Sequence, residues 1–247
     1  MKAIALIPAR LQATRFPKKL LAKINGVSVI VRTYRSALNT GLFDEVIVVS
    51  DSDEIIEEIV NNGGKAVKSQ HEYESGTDRI AEVAANMDAD IFVNVQGDEP
   101  FVQKQPLELL LNLFRGEDGK NVQVGSLVQE LKDPALIADP NYVKVALALN
   151  NDAIFFSRSV VPYPRNKDIS ITYYEHIGVY AFRKNALLSF TNWEMTPLEN
   201  AEKVECLRFL EHGVPMKMAI TNYMGVEIDM PEDIQKAELL MKEKGWE

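Results

Sequence analysis

Three short apolar runs, Ala3–Ile7, Glu45–Val49 and Ile91–Val95, punctuate the first hundred residues, and the segments between them carry apolar residues at helical spacing. Runs this short and this rich in β-branched side chains read as strands buried on both faces. Such strands belong to parallel sheets, whose neighbours must be joined by covering crossover helices. Val27 to about Asn39 supplies one helix, with Gly41 as its stop. Asp53–Val60 supplies a second, and Thr77–Met87 a third with Thr77 or Ser75 as its cap. The expected fold is α/β, a three-layer α/β/α arrangement around a mainly parallel mixed sheet.

The later chain reads differently. Val143–Leu149, Ala153–Phe156 and His176–Phe182 look like strands with little helix between them, so a small β-rich, antiparallel sub-lobe is expected at about 130–212. A helix over about Leu198–Glu211, a strand at Met216–Thr221 and a closing helix from Pro231 to about Lys244 complete the pattern. No Pro/Gly/Ser-rich linker divides the chain. Residues 1–247 therefore read as a single domain, with Lys132–Asn141 as an internal hinge, and the 46% apolar content is ample for its core.

Composition removes several function classes. A net charge of −9 argues against nucleic acid or anionic membrane as a partner. The single cysteine, Cys206, excludes an internal disulfide and a cysteine-based zinc cluster. No run approaches the roughly 20 apolar residues of a spanning helix. The N-terminal apolar run is cut by Pro8 and Arg10 too early for a signal peptide, so a cytoplasmic location is expected.

Against that negative total, the first 43 residues carry eight basic side chains and no acid. Five of them (Arg10, Arg15, Lys18, Lys19 and Lys23) follow directly on the first strand. A basic loop leaving the carboxyl end of a buried strand is where α/β proteins hold phosphates. Neither G-x-x-x-x-G-K-[ST] nor G-x-G-x-x-G is present, so this loop must work through charge, backbone N–H groups and the Thr14 hydroxyl. A solvated surface loop is the bland alternative. Gln96-Gly-Asp-Glu-Pro100 follows the third strand and puts Asp98 on the same rim, where Gly97 permits close backbone approach to a ligand. Asp229 precedes the last helix, while Glu232 and Asp233 suit its first turn as caps. Asp98 and Asp229 together would make a two-carboxylate site for Mg²⁺ facing phosphate oxygens.

Eight motifs then occur in order between about residues 3 and 240: Ile7-Pro-Ala-Arg10, Arg15-Phe-Pro-x-Lys19, Ser75-Gly-Thr-Asp-Arg79, Gln96-Gly-Asp-Glu-Pro100, Phe156-Ser-Arg158, Pro162-Tyr-Pro-Arg165, His176-Ile-Gly-Val-Tyr180 and Asp229-x-Pro-Glu-Asp233. The set resembles the 3-deoxy-manno-octulosonate (Kdo) cytidylyltransferases. That resemblance implies the nucleotide-diphospho-sugar transferase fold, a homodimer, Mg²⁺ as cofactor, and CTP and Kdo as substrates. The implied products are CMP-Kdo and pyrophosphate, for lipopolysaccharide biosynthesis. It also implies roles: Lys19, Arg15 and Asp98 in catalysis; Arg10, Thr14, Ser75, Gly76, Thr77, Asp78, Arg79 and Gln96 around the nucleotide; Arg165, His176 and Glu205 at the sugar, with Glu199 and Glu202 nearby; Asp98 and Asp229 at the metal.

Three positions depart from the family pattern. Lys18 replaces a glycine, Met230 a capping threonine, and Cys206 a glutamine associated with the sugar. The last exchanges an amide for a weakly polar thiol. It keeps open a cytidylyltransferase for a related acidic sugar, an 8-amino-Kdo analogue or sialic acid. A non-catalytic nucleotide sensor is the rival from another class, and the paired aspartates argue against it.

Overall fold

The computed structural model describes residues 1–12, 15–71, 73, 75–222 and 225–246. Thr14, read above as a phosphate ligand, lies outside the described residues. The chain forms two compact units, one from Met1–Lys104 with Gly225–Glu247 and one from Gln105–Met224.

In the first unit the strands are β1 (Ala3–Ala9), β2 (Lys23–Ile24), β3 (Val27–Ser28), β4 (Glu45–Ser50), β5 (Ala66–Lys68) and β6 (Ile91–Asn94). Its helices are α1 (Val29–Asn39), α2 (Asp53–Asn61) and α3 (Gly76–Ala84). Strands β6, β1, β4 and β5 lie side by side and all pair in parallel. Every residue of β1 is buried, as the unbroken apolar run requires. Helix α1 starts two residues later than expected because Val27 and Ser28 are taken into a tight hairpin with β2. The turn residues Asn25 and Gly26 have φ of 45° and 81°, the left-handed pair that a two-residue hairpin needs.

The second unit runs through α4 (Lys104–Asn112), α5 (Gly116–Gly119), β7 (Val124–Leu131), α6 (Pro134–Ala138), β8 (Lys144–Leu147), β9 (Ala153–Ser157), β10 (Tyr173–Arg183), α7 (Lys184–Thr191), α8 (Pro197–Glu202), α9 (Leu207–Glu211) and β11 (Met216–Thr221). The chain then returns to the first unit with α10 (Glu232–Lys244). Strand β10 pairs antiparallel with β7 and β8, and β8 antiparallel with β9, while β11 runs parallel to β7. The expected antiparallel character is present. The stretch expected to be a hinge folds as α6, capped by the Asp133 carboxylate, which accepts from the Ala135 N–H.

The single helix expected over Leu198–Glu211 is instead α8 and α9. Lys203 closes α8 in the left-handed conformation, φ 54° and ψ 47°. Long-range bonds hold the break: the Glu202 carboxylate accepts from Ser157 Oγ at 2.7 Å and from the Arg158 N–H at 2.9 Å, and Arg158 Nε donates to the Glu202 carbonyl. Among the described residues, no helix is long and apolar enough to cross a membrane.

Candidate active site

Strands β1 and β6 are parallel neighbours, so their carboxyl ends open on one rim. The segment before α10 is fixed there by one backbone bond, the Ile228 N–H donating to the Asp98 carbonyl at 3.0 Å. That bond brings together two carboxylates 131 positions apart in sequence, Asp98 and Asp229. Asp98, Glu227 and Asp229 each offer an oxygen within 4.8 Å of the others. Three like charges at that spacing repel, and cations from the basic loop compensate them. Lys19 Nζ lies 2.6 Å from Asp98 and 2.8 Å from Asp229, and Arg15 Nη2 lies 2.8 Å from the second oxygen of Asp229. Thus two of the five cations of the basic loop are committed to these carboxylates from elsewhere. Lys18 points away from the trio and pairs with Glu54 at 2.7 Å.

The electrostatics follow from this crowding. Burial alone would lower the Lys19 ammonium, but the charges and hydrogen bonds of Asp98 and Asp229 outweigh it and the net direction is up. Glu99 is pushed up to about 8, chiefly by desolvation and then by the charges of Asp98 and Glu227. Desolvation, with Asp98 and Asp229, raises Glu227 to about 7, and Lys19 and Arg15 pull it back in part.

Beside the trio lies a cleft of about 170 Å³ whose lining includes Arg10, Lys19, Ser75, Gly76, Arg79, Gln96 and Asp98. Seven of the residues read from the sequence as nucleotide-binding or catalytic therefore share one wall. Tyr73 also lines this cleft. Ser75 caps α3 by accepting from the Thr77 N–H at 3.1 Å, which turns the start of the helix onto the cleft. Thr77 is buried behind that cap and Asp78 is half-buried. Arg79 is also buried, donating a hydrogen bond to Ser69 Oγ at 2.9 Å and ion-paired with Asp51 Oδ1 at 2.9 Å. Arg10 is exposed.

Two readings change on inspection. Gly97 is required by the chain itself: a Cβ there would stand 2.8 Å from the Pro8 carbonyl oxygen, so the close approach is between β1 and the loop after β6. Among the described residues no side chain caps α10, whose N-cap is Pro231, so Asp229 does not stand in for the missing threonine. Asp233 Oδ2 accepts from the Met230 and Asp229 N–H groups at 2.8 and 3.1 Å, which leaves the Asp229 carboxylate to Lys19 and Arg15.

The residues read as sugar contacts, Arg165, His176 and Glu205, belong to the second unit. Arg165 is exposed in the segment between β9 and β10, His176 is on β10, and Glu205 is half-buried between α8 and α9. Desolvation lowers His176 to about 4. Glu199 and Glu202, expected near the sugar, are taken by the fold. Glu199 is buried and holds Arg208 through Nε at 2.8 Å and Nη2 at 2.6 Å, while Glu202 fixes the break before α9. Cys206 is buried, and desolvation keeps its thiol protonated well above the ordinary range.

Glu227 is the site residue missed in the sequence. It stands in the quoted acidic cluster, but only the tertiary placement of that loop shows that it joins Asp98. Tyr73 carried no sequence signal.

The sequence matches the cytidylyltransferase family over residues 4–221. The 3-deoxy-manno-octulosonate cytidylyltransferase of Flavobacterium johnsoniae is 51% identical over 98% of this chain and 100% of its own length. This chain belongs to that family. The enzyme of the same description from Myxococcus xanthus is 45% identical over 99% of this chain and 98% of its own length. A solved structure of CMP:2-keto-3-deoxy-manno-octonic acid synthetase complexed with CTP superposes with a TM-score of 0.93 at 34% identity, covering 99% of this chain and 100% of that one. The fold is accordingly the nucleotide-diphospho-sugar transferase type, a mixed, mainly parallel sheet with helices on both sides, and the family members are nucleotidyltransferases.

Proposed function

We propose that this enzyme transfers CMP from CTP to the anomeric hydroxyl of Kdo. The sugar oxygen forms a bond to the α-phosphorus, the bridging P–O bond breaks, pyrophosphate leaves, and the hydroxyl proton passes to water. The observation that carries the reading is the Lys19 ammonium wedged between Asp98 and Asp229 on the wall of the Arg10–Gln96 cleft. A cation already occupies the gap between the two carboxylates, and an all-oxygen donor set with Glu227 beside it suits Mg²⁺. Asp98 and Asp229 would hold that ion, which when bound supplies positive charge to the phosphate oxygens.

The remaining work belongs to side chains of the protein. Both reactants are anions, and two unit charges about 4 Å apart repel by ~4 kcal/mol at an effective dielectric near 20. Arg10, Arg15 and Lys19 offset that repulsion along the triphosphate. Ser75, Gly76, Thr77, Asp78, Arg79 and Gln96 shape the place of the cytidine. Arg165, His176 and Glu205 receive the sugar, with the Arg165 guanidinium matched to its carboxylate. Transfers of this kind are governed by positioning and charge, so no covalent nucleophile is needed. The same reading makes the protein a cytoplasmic homodimer serving lipopolysaccharide synthesis. The exposed apolar side chains Leu149, Ile154, Tyr163 and Ile169, all in the second unit, favour association of two copies.

Pyrophosphate release, assayed with CTP, Kdo and Mg²⁺ and repeated with chelator, tests the assignment. Release is expected only when all three are present. Faster turnover with sialic acid or an 8-amino-Kdo analogue would reassign the sugar, and silence with every acidic sugar would end the enzymatic reading.

A further inference from the structure

Strand β10 slips out of register with β7 between Ile177 and Tyr180. Ser126 of β7 is fully buried at this irregularity. Its Oγ lies 2.8 Å from the Val179 carbonyl oxygen, 3.2 Å from the Ile177 carbonyl oxygen and 3.0 Å from Nε2 of His176.

A serine hydroxyl has one proton to give and lone pairs to receive. The two carbonyls can only accept, so the proton belongs to them, the shorter Val179 contact taking the larger share. Giving that proton to His176 instead would aim oxygen lone pairs at two buried carbonyl oxygens, one of them only 2.8 Å away. Toward the imidazole, Oγ is therefore an acceptor and Nε2 must carry hydrogen. We infer that Ser126 is a positioning residue that fixes His176 in the Nε2–H tautomer and leaves Nδ1 as a hydrogen-bond acceptor for a hydroxyl of the sugar. The inference rests on the proposed assignment of His176 to the sugar.

The surroundings agree. The imidazole is flanked by the rings of Phe156 at 5.0 Å and Tyr180 at 5.3 Å. Among the described residues no carboxylate bonds to it and Nδ1 has no hydrogen-bond partner. Burial pushes its pKa down, so the ring is neutral at pH 7. A neutral acceptor does not attract the sugar's carboxylate. It reads a hydroxyl, and an analogue lacking that hydroxyl leaves a polar atom unpaired.

The experiment is a long-range ¹H–¹⁵N correlation of the labelled protein at pH 7, with the signals of His176 assigned by their loss in His176→Gln. Only three histidines contribute. A protonated, pyrrole-like Nε2 and an unprotonated, pyridine-like Nδ1 are expected. Ser126→Ala should give a mixture of tautomers, and Ser126→Thr, which keeps the hydroxyl, should restore the single form. In the pyrophosphate assay Ser126→Ala should raise KM for Kdo about tenfold, with KM for CTP and kcat within about twofold of the parent. A pyridine-like Nε2 in the parent protein overturns the inference, as does an unchanged KM for Kdo in Ser126→Ala. The parent spectrum alone decides the tautomer if the alanine variant does not fold. Should the parent release no pyrophosphate from CTP and Kdo, the proposed function fails, while the spectrum still decides the pairing of Ser126 with His176.

Discussion

The same kinds of charged side chain are handled differently in the two compact units. At the cleft of the first, Lys19, Arg15, Asp98 and Asp229 pair across a rim that solvent reaches, with side-chain exposures of 15–65%. In the second, Glu199 and Arg208 are 6% and 7% exposed, and the guanidinium also lies 3.9 Å over the Phe190 ring. Lys144 is fully buried there and donates to the carbonyls of Asp139 and Tyr142. A wet pair can be exchanged for a ligand at little cost, because water and ions stabilise the intermediate arrangements. A dry pair cannot, since separating it strands a buried charge. The exchangeable pairs at the rim suit reception of a polyanion, and the locked Glu199–Arg208 pair serves as scaffold.

The sharpest way to break this comparison is to remove the carboxylates at the rim. Asp98→Ala or Asp229→Ala should lower CTP-dependent pyrophosphate release by ~10³ or more while urea unfolding stays cooperative. Activity within tenfold of the parent would mean that the rim pairs are merely structural.

A smaller effect separates the units by pH. His176 has a native pKa near 4, below its ordinary 6.5, so folding favours the neutral ring. The stability it contributes is complete above pH 6.5 and is lost as pH falls toward 4, by as much as ~3 kcal/mol. Urea unfolding at pH 7 and at about pH 4.5 should show a steeper loss for the parent than for His176→Gln; equal losses would remove the buried imidazole from the account.

The smallest effect concerns the basic loop. Lys18 adopts φ 56° and ψ 28°, where a side chain costs ~1 kcal/mol that glycine does not. Its pair with Glu54 is exposed on both sides and returns little. Lys18→Gly should therefore raise stability by ~0.5 kcal/mol, read as a shift in the urea midpoint; a destabilised variant would show that the Glu54 pair matters more than the backbone.

Much of the first unit was legible from residue order. Its three strong strands are continuous apolar runs, and a run buried on both faces announces itself without its neighbours. The cleft was legible for a related reason: Arg10, Lys19, Ser75, Gln96 and Asp98 follow strands or open helices, and a parallel sheet gathers such positions on one edge. The Asn25–Gly26 hairpin had a plain sequence signal that the helical periodicity of Val27–Asn39 overrode. The break between α8 and α9 had none, because Glu202 is held by Ser157 and Arg158, more than forty residues away.

By itself, the order of amino acids determined the alternation of strand and helix, the family, and the chemistry on offer: cations after β1, carboxylates after β6 and before α10. Only tertiary structure decided how those charges are paired. Lys18 went to Glu54, Lys19 to Asp98 and Asp229, Glu199 to Arg208, and one buried serine proton was divided between two carbonyls beside His176. Backbone periodicity is a local property, set within a few residues by sterics and burial. Pairing of polar groups depends on ångström-scale distances between segments far apart along the chain, and those exist only once the fold has closed.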